Sequence, residues 1–206
     1  MTGKTHRQYS ICFAFMACIF LNSYGITQIN YYLTIPIMLM AGKFGAAMPD
    51  VDHIWKNVGD KTTLNFIINK IIHLTGGKHR SWQTHSIDIC TLFTVVSIAL
   101  PNGLYINEKI SIIDKEIATL LLLGVASGWI SHLFSDMLTS GGVRLFCFSK
   151  KKVALVPKKL FGLRFNTGNE WEEFNYKVMR VLNNILGIMC ILYPYGEEIV
   201  SYLKSF

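Results

Sequence analysis

Apolar runs of near-membrane length recur along this 206-residue chain, and their recurrence restricts its fold more than any other feature. A run that enters lipid must satisfy its backbone polar groups internally, which favours a bundle of helices. The runs are Tyr9 to Tyr24, Tyr31 to Met48, Ser86 to Leu100, Ile117 to Phe134 and Val178 to Tyr193. A helix crosses the hydrocarbon with roughly 20 residues, so the first run spans only if the bilayer thins or its ends snorkel. The fourth is the cleanest, and the fifth is interrupted by Arg180, Asn183 and Asn184. Only 16% of residues are charged and 51% are hydrophobic, against about 25% charged in soluble domains. The expected fold class is all-α: a multi-spanning helical membrane bundle over residues 1–206, one domain with about four to five transmembrane helices.

Local signals refine this outline. Lys4 and Arg7 precede the first run as in a signal peptide, but no small-x-small cleavage site follows, so the run is read as retained. Pro36 is a candidate kink in the second, and Gly42, Gly45, Ala46 and Ala47 offer a small-residue face for close packing. Lys43 either snorkels or faces a site. Pro101-Asn102-Gly103 is expected to break the third run, with a polar loop over 102–116. Within residues 49–84, Leu64, Ile67, Ile68, Ile71 and Ile72 give one apolar helical face, which lies at the interface or packs on the bundle, and Gly76-Gly77 ends that helix. Residues 140–175 read as a long loop, basic early and acidic late. Of the five cysteines, Cys12, Cys18, Cys90 and Cys190 lie inside apolar runs, and none pairs with Cys147 or another as C-x-x-C. They are expected to be buried thiols, not a disulfide framework or zinc finger.

Alternate crossings bring distant polar segments to one side. His6 precedes span one, Pro49-Asp50-Val51-Asp52-His53 follows span two, His79 to Ser86 precedes span three, and His132 to Asp136 closes span four. Sixteen of the 20 Lys and Arg residues belong to that same side. The positive-inside rule therefore predicts a cytoplasm-facing site. The net charge of +7 is then a property of loops, and no nucleic-acid partner is expected.

Histidine is the commonest metal ligand. His132 and Asp136 sit at i and i+4, on one helical face, as shared ligands of an ion or as a hydrogen-bonded pair. Asp50 and Asp52 would point the same way in extended chain, as ligands, a general base or helix caps. His85 opens a span and is the firmer ligand; His79 binds metal or polarises a substrate oxygen. Arg80 suits a phosphate or anchors the chain at the positive side. Thr84 and Ser86 could orient ligands. His73 reads as an interfacial residue. Mixed His and Asp ligands suit zinc or manganese, as one or two ions.

The combination of Pro49-Asp50-Val51-Asp52-His53, His79-Arg80 with Thr84-His85-Ser86, and Ser131-His132 through Asp136 with Thr139 and Gly141-Gly142 resembles the YdjM-type family of bacterial inner-membrane metal-dependent hydrolases, over roughly residues 1–165. The resemblance implies metal contacts at His6, Asp50 or Asp52, His53, His85, His132 and Asp136. The His132-x-x-x-Asp136 spacing is also similar to one in zinc-dependent phospholipase C. Ser81-Trp82-Gln83 departs from the smaller, glycine-containing stretch expected there, with Trp82 narrowing access or sitting at the headgroups. The leading expectation is a membrane-bound hydrolase for a phosphoester or lipid-like substrate, with Asp50, Asp52 and Arg80 in catalytic roles and membrane lipid as partner. The alternatives are a divalent metal transporter and a non-catalytic membrane protein with a structural metal site.

Overall fold

The computed structural model describes residues 1–55, 58, 61–139, 141–144, 146–155 and 168–196. The described residues are mainly helical: α1 (Gly3–Ser23), α2 (Tyr31–Ala47), α3 (Thr63–Leu74), α4 (Trp82–His85), α5 (Ile87–Ile106), α6 (Ile112–Met137) and α7 (Glu170–Leu192). Two-residue strands β1 (Val143–Arg144) and β2 (Lys152–Val153) pair antiparallel in the segment read as a long loop. Its Lys158-Lys159 pair lies outside the described residues. Among the described residues, α5, α6 and Glu170–Tyr195 are long and apolar enough to cross a membrane. α2 has 17 residues, and α1 carries His6, Arg7, Gln8 and Ser10 in its first turns. α2 is thus apolar but short, and α1 is the more polar of the two.

Tertiary partners extend the elements past their sequence-predicted ends. α1 starts at Gly3, so His6 lies inside the helix and not in a polar lead-in. The reason is Glu172 of α7, whose carboxylate accepts from the Thr2 backbone N–H, from Thr2 Oγ1 at 2.8 Å and from Thr5 Oγ1 at 2.9 Å. A carboxylate at an exposed helix N-terminus supplies acceptors for orphan donors and opposes the dipole. The expected break at Pro101 does not occur, and α5 runs on to Ile106. Proline removes one donor, but stopping inside lipid would orphan several more. Asn102 Nδ2 donates to the Ile98 carbonyl at 2.8 Å. The chain turns at Glu108, in the left-handed region, and Ser111 and Asp114 form a capping box that starts α6 five residues early.

The centre of the bundle is the α2–α6 contact, the most extensive in the molecule. Small residues make it. A Cβ at Gly45 would overlap the Val125 backbone, and one at Gly128 would overlap the Gly42 carbonyl. The backbones therefore touch, as in small-residue membrane interfaces. α1 packs on both, α7 packs on α1, and α5 packs on α6. Ala14, Cys18, Met38, Leu120 and Cys190 fill the core, and Cys90, Trp129, Leu133 and Val143 fill the space beneath α5. Cys12, Cys18, Cys90 and Cys190 are buried free thiols and Cys147 is partly so.

End-to-end contacts show the long helices alternating in direction. At one end Thr27 Oγ1 and the Gln28 N–H donate to Glu116 at 2.8 and 3.0 Å, and Ser23 Oγ lies 2.6 Å from Tyr193 Oη. At the other, His132 meets Ala46 and His6 meets Ser135. Replacing Gly45 or Gly128 with Leu overpacks a backbone contact and is expected to cost about 1–3 kcal/mol or more. Gly103→Ala, where a Cβ meets open space, is the control that holds. Thermal unfolding in detergent checks both.

Candidate metal centre

The site is assembled at the end of the bundle where α1 begins and α6 ends. A 3-10 turn, Pro49–Asp52, follows α2 and delivers Asp50 and Asp52. The turn is held from below by α3, whose Asn69 Nδ2 donates to the Val51 and His53 carbonyls at 2.5 and 2.8 Å. α4 and α5 meet at Ser86, where an extended residue bridges Arg144 of β1 and lets His85 turn inward.

Asp52 is fully buried and its carboxylate is saturated. It accepts from His79 Nδ1 at 2.9 Å, the Arg80 N–H at 2.8 Å and Thr84 Oγ1 at 2.6 Å, and His85 Nδ1 lies at 3.2 Å. Burial pushes this carboxyl's pKa up, but the bonds from His79, His85 and Thr84 outweigh it and hold the group below the usual carboxylate range. Burial lowers the His53 pKa, with a further contribution from His79, and the two rings stack with centroids 3.6 Å apart.

The hydrogen-bond network assigns one tautomer to four histidines. The His132 Nδ1–H donates to the Ala46 carbonyl at 2.7 Å. Ser135 Oγ donates to the His132 carbonyl at 2.9 Å, so it accepts from the His6 Nδ1–H at 2.5 Å. The Nδ1 atoms of His79 and His85 are turned to Asp52. Each ring thus holds its proton on Nδ1, leaving the Nε2 lone pair for the centre. The Nε2 atoms of His85 and His132 are buried with no hydrogen-bond partner.

Those lone pairs converge on two carboxylates. His132 Nε2 lies 3.7 Å from Asp50 Oδ1 and 3.9 Å from Asp136 Oδ2. His85 Nε2 is 3.7 Å from Asp136 Oδ2, His6 Nε2 is 3.6 Å from Asp136 Oδ1, and His53 Nε2 is 3.8 Å from Asp50 Oδ1. Such gaps are too long for hydrogen bonds. They approach the separation of roughly 3.3 Å between two ligands of a tetrahedral ion with bonds of about 2.0–2.1 Å. Three sets could each hold an ion: His6, His132 and Asp136; Asp50, His85 and His132; Asp50, His53 and His79. The first two sets share His132, whose single free lone pair could serve only one ion, so they are alternatives; the last two share Asp50, whose carboxylate has two oxygens to offer. Orphaned buried nitrogens, fixed tautomers and ligand spacing all fit a divalent cation.

All eight sequence-predicted metal candidates come together here, but with different jobs. Asp50 enters two of the three sets and Asp52 none. Arg80, read as suiting a phosphate or anchoring the chain, pairs through Nη2 with Asp136 Oδ2 at 3.0 Å, and its backbone sits in the left-handed region. Gly141 makes room for it, since a Cβ there would strike Nη1. The amino nitrogen of Met1 also lies 3.3 Å from Asp136 Oδ1. Sequence reasoning missed Arg7 as a site neighbour. With Lys43, it edges a cavity of about 90 Å³ that His6, Ala46, Asp50 and Val51 also line. The i to i+37 separation of Lys43 and His6 carries no sequence signal, but the spacing of Arg7 next to His6 does. Trp82 is 40% exposed at the start of α4.

The sequence profile described as YdjM inner membrane protein matches residues 1–194, further than the 1–165 expected from motifs alone. The chain belongs to this family. It is 25% identical to the inner membrane protein YdjM of Escherichia coli (strain K12), over 84% of this chain and 76% of that one, and equally to the Shigella flexneri protein of that name. It is 29% identical to YvsG of Bacillus subtilis (strain 168), over 75% of this chain and 78% of the relative. No solved structure matches it. Membrane residence follows from the family and from the apolar helices.

The Asp52 network yields one expectation. Asp52→Asn keeps the shape but swaps an acceptor for a donor against His79 or His85. Zinc affinity measured by competition with a chromophoric chelator is expected to fall about 10–100-fold, with the helical circular dichroism unchanged.

Proposed function

We propose that this member of the YdjM inner membrane protein family is a membrane-bound metal-dependent hydrolase that cleaves a phosphoester or lipid-like substrate at the cytoplasmic surface. In this reading the chain acts as one membrane-embedded domain. The observation that carries it is the set of three imidazoles, His6, His85 and His132, tied by Nδ1 and offering Nε2 to Asp50 or Asp136. A purely structural histidine cluster has no need to leave the buried Nε2 atoms of His85 and His132 unpaired.

Zinc, with manganese as the other candidate, supplies Lewis acidity and acidifies water at neutral pH. The residues divide as follows. His6, His53, His85, His132, Asp50 and Asp136 hold one or two ions, and His79 joins them beside Asp50 and His53. Asp52 orients His79 and His85 and fixes their tautomers. Asp50 is the one of the two paired carboxylates that is partly exposed. Its Oδ1 faces His53 and His132, which leaves Oδ2 to take the proton from attacking water. Arg80 steadies Asp136. Arg7 and Lys43 face the small cavity beside His6 and Asp50, where their charge favours a phosphoryl group over a neutral ester. That cavity has room for such a group and little else, so the rest of a substrate stays in the headgroup layer.

The cytoplasmic orientation rests on the 16 of 20 Lys and Arg residues assigned to the site's side. Polar groups away from the site do not favour the transport alternative: Ser127 Oγ donates to the Gly124 carbonyl, and Asp88, in the first turn of α5, accepts from the Cys147 N–H. Metal analysis of detergent-purified protein is the first test. Wild type is expected to retain stoichiometric metal and His132→Ala to lose it; equally little in both would refute the site. Asp50→Asn is expected to keep the fold and to lower turnover of a lipid phosphodiester by about 10²-fold or more. Unchanged turnover would remove Asp50 from the chemistry.

A further inference from the structure

α3 is mounted with its apolar side facing outward. Its buried residues are Asn65, Asn69 and Ile72, and Asn69 grips the Val51 and His53 carbonyls. Leu64, Ile67, Ile71 and Leu74 fall on one stripe, spaced i, i+3, i+7 and i+10. Each is half or more exposed, and Leu74 is 84% exposed. A water-facing helix of a soluble protein is arranged the other way, with apolar residues in and amides out. Here the amides serve the site and the apolar stripe is left to something else.

The geometry points to the headgroup–acyl boundary of the membrane leaflet on the site's side as the partner of this stripe. Two observations identify lipid. α3 packs on the Pro49–Asp52 turn, at the end of the bundle where α2 finishes and α5 starts, and α5 is long and apolar enough to cross a membrane. Its charge also suits an anionic surface: Lys61, Lys70 and Lys78 occur between residues 61 and 78, and no Asp or Glu does. An amphipathic helix with a basic flank lies in the interface plane and is drawn to anionic lipids. α3 is therefore an interfacial helix that docks on lipid through Leu64, Ile67, Ile71 and Leu74. Its opposite face positions the Pro49–Asp52 turn, so seating α3 in the leaflet sets the depth of Asp50 and Asp52. This last consequence rests on the metal-site reading; the docking itself does not.

The test uses the full chain in nanodiscs containing phosphatidylglycerol, with a benzophenone amino acid placed in turn at Leu64, Ile67, Ile71 and His73. All four positions are exposed; at His73 the substitution gives up a 3.3 Å contact with the His53 carbonyl, which Asn69 continues to hold. After irradiation, mass spectrometry is expected to find lipid adducts at the first three, several-fold more than at His73, which projects from the other flank. Protein–protein adducts dominating at Ile67 and Ile71 would overturn the inference in favour of a second copy of the chain. Adducts equal at all four positions, or absent, would overturn it as well. In an Ile67→Glu, Ile71→Glu variant, the Leu64 adduct is expected to drop several-fold, and an unchanged yield counts against docking. Cross-linking reads neither metal nor turnover, so its failure is separable from failure of the hydrolase reading.

Discussion

The close approach of α2 and α6 is the constraint on which the remainder depends. In lipid there is little hydrophobic drive to bring helices together, so contact dispersion must do it. Glycines at 45 and 128 let backbone meet backbone, and Gly124 admits the Ala41 side chain. That closeness puts the Ala46 carbonyl within 2.7 Å of His132 Nδ1, which fixes the ring and its free nitrogen. It also sets where α2 ends, and so where Asp50 and Asp52 emerge. Packing deep in the bundle thereby decides ligand geometry at its rim.

A second layer of control comes from Asp52. Burying a carboxylate is costly unless every lone pair is used, and here two imidazoles, a hydroxyl and a backbone N–H use them. The network is local in space but joins residues 27 to 33 positions apart in sequence. It explains why the stretch around His79 to His85 departs from regular helix: a left-handed Arg80 and an extended Ser86 are the shapes that aim several donors at one buried carboxylate. Such local strain persists only where surrounding contacts over-determine it.

Much of this was legible in the sequence. Apolar periodicity located α2, α5, α6 and α7, and alternation of crossings correctly brought His6, Asp50, His53, His85, His132 and Asp136 together. Helix ends were not legible, because they depend on partners far along the chain. Glu172 extends α1 backward, and Asn102 helps carry α5 past Pro101. The division of labour between Asp50 and Asp52 was equally hidden, since two carboxylates two residues apart look alike until one is seen to be saturated. Arg80 looked like a phosphate ligand because guanidinium suits phosphate, and it suits a carboxylate as well. The sequence left open whether the apolar face of α3 lies at the interface or packs on the bundle; buried Asn69, serving two carbonyls, turns that face outward.

Glu172 has a consequence beyond starting a helix. α7 packs on α1, and through Thr2 and Thr5 its carboxylate grips the turn that carries His6. α7 is thus a tether on the turn that holds an imidazole of the cluster. A sideways pull on the base of α7 would load that turn first, through two hydroxyls and one backbone N–H.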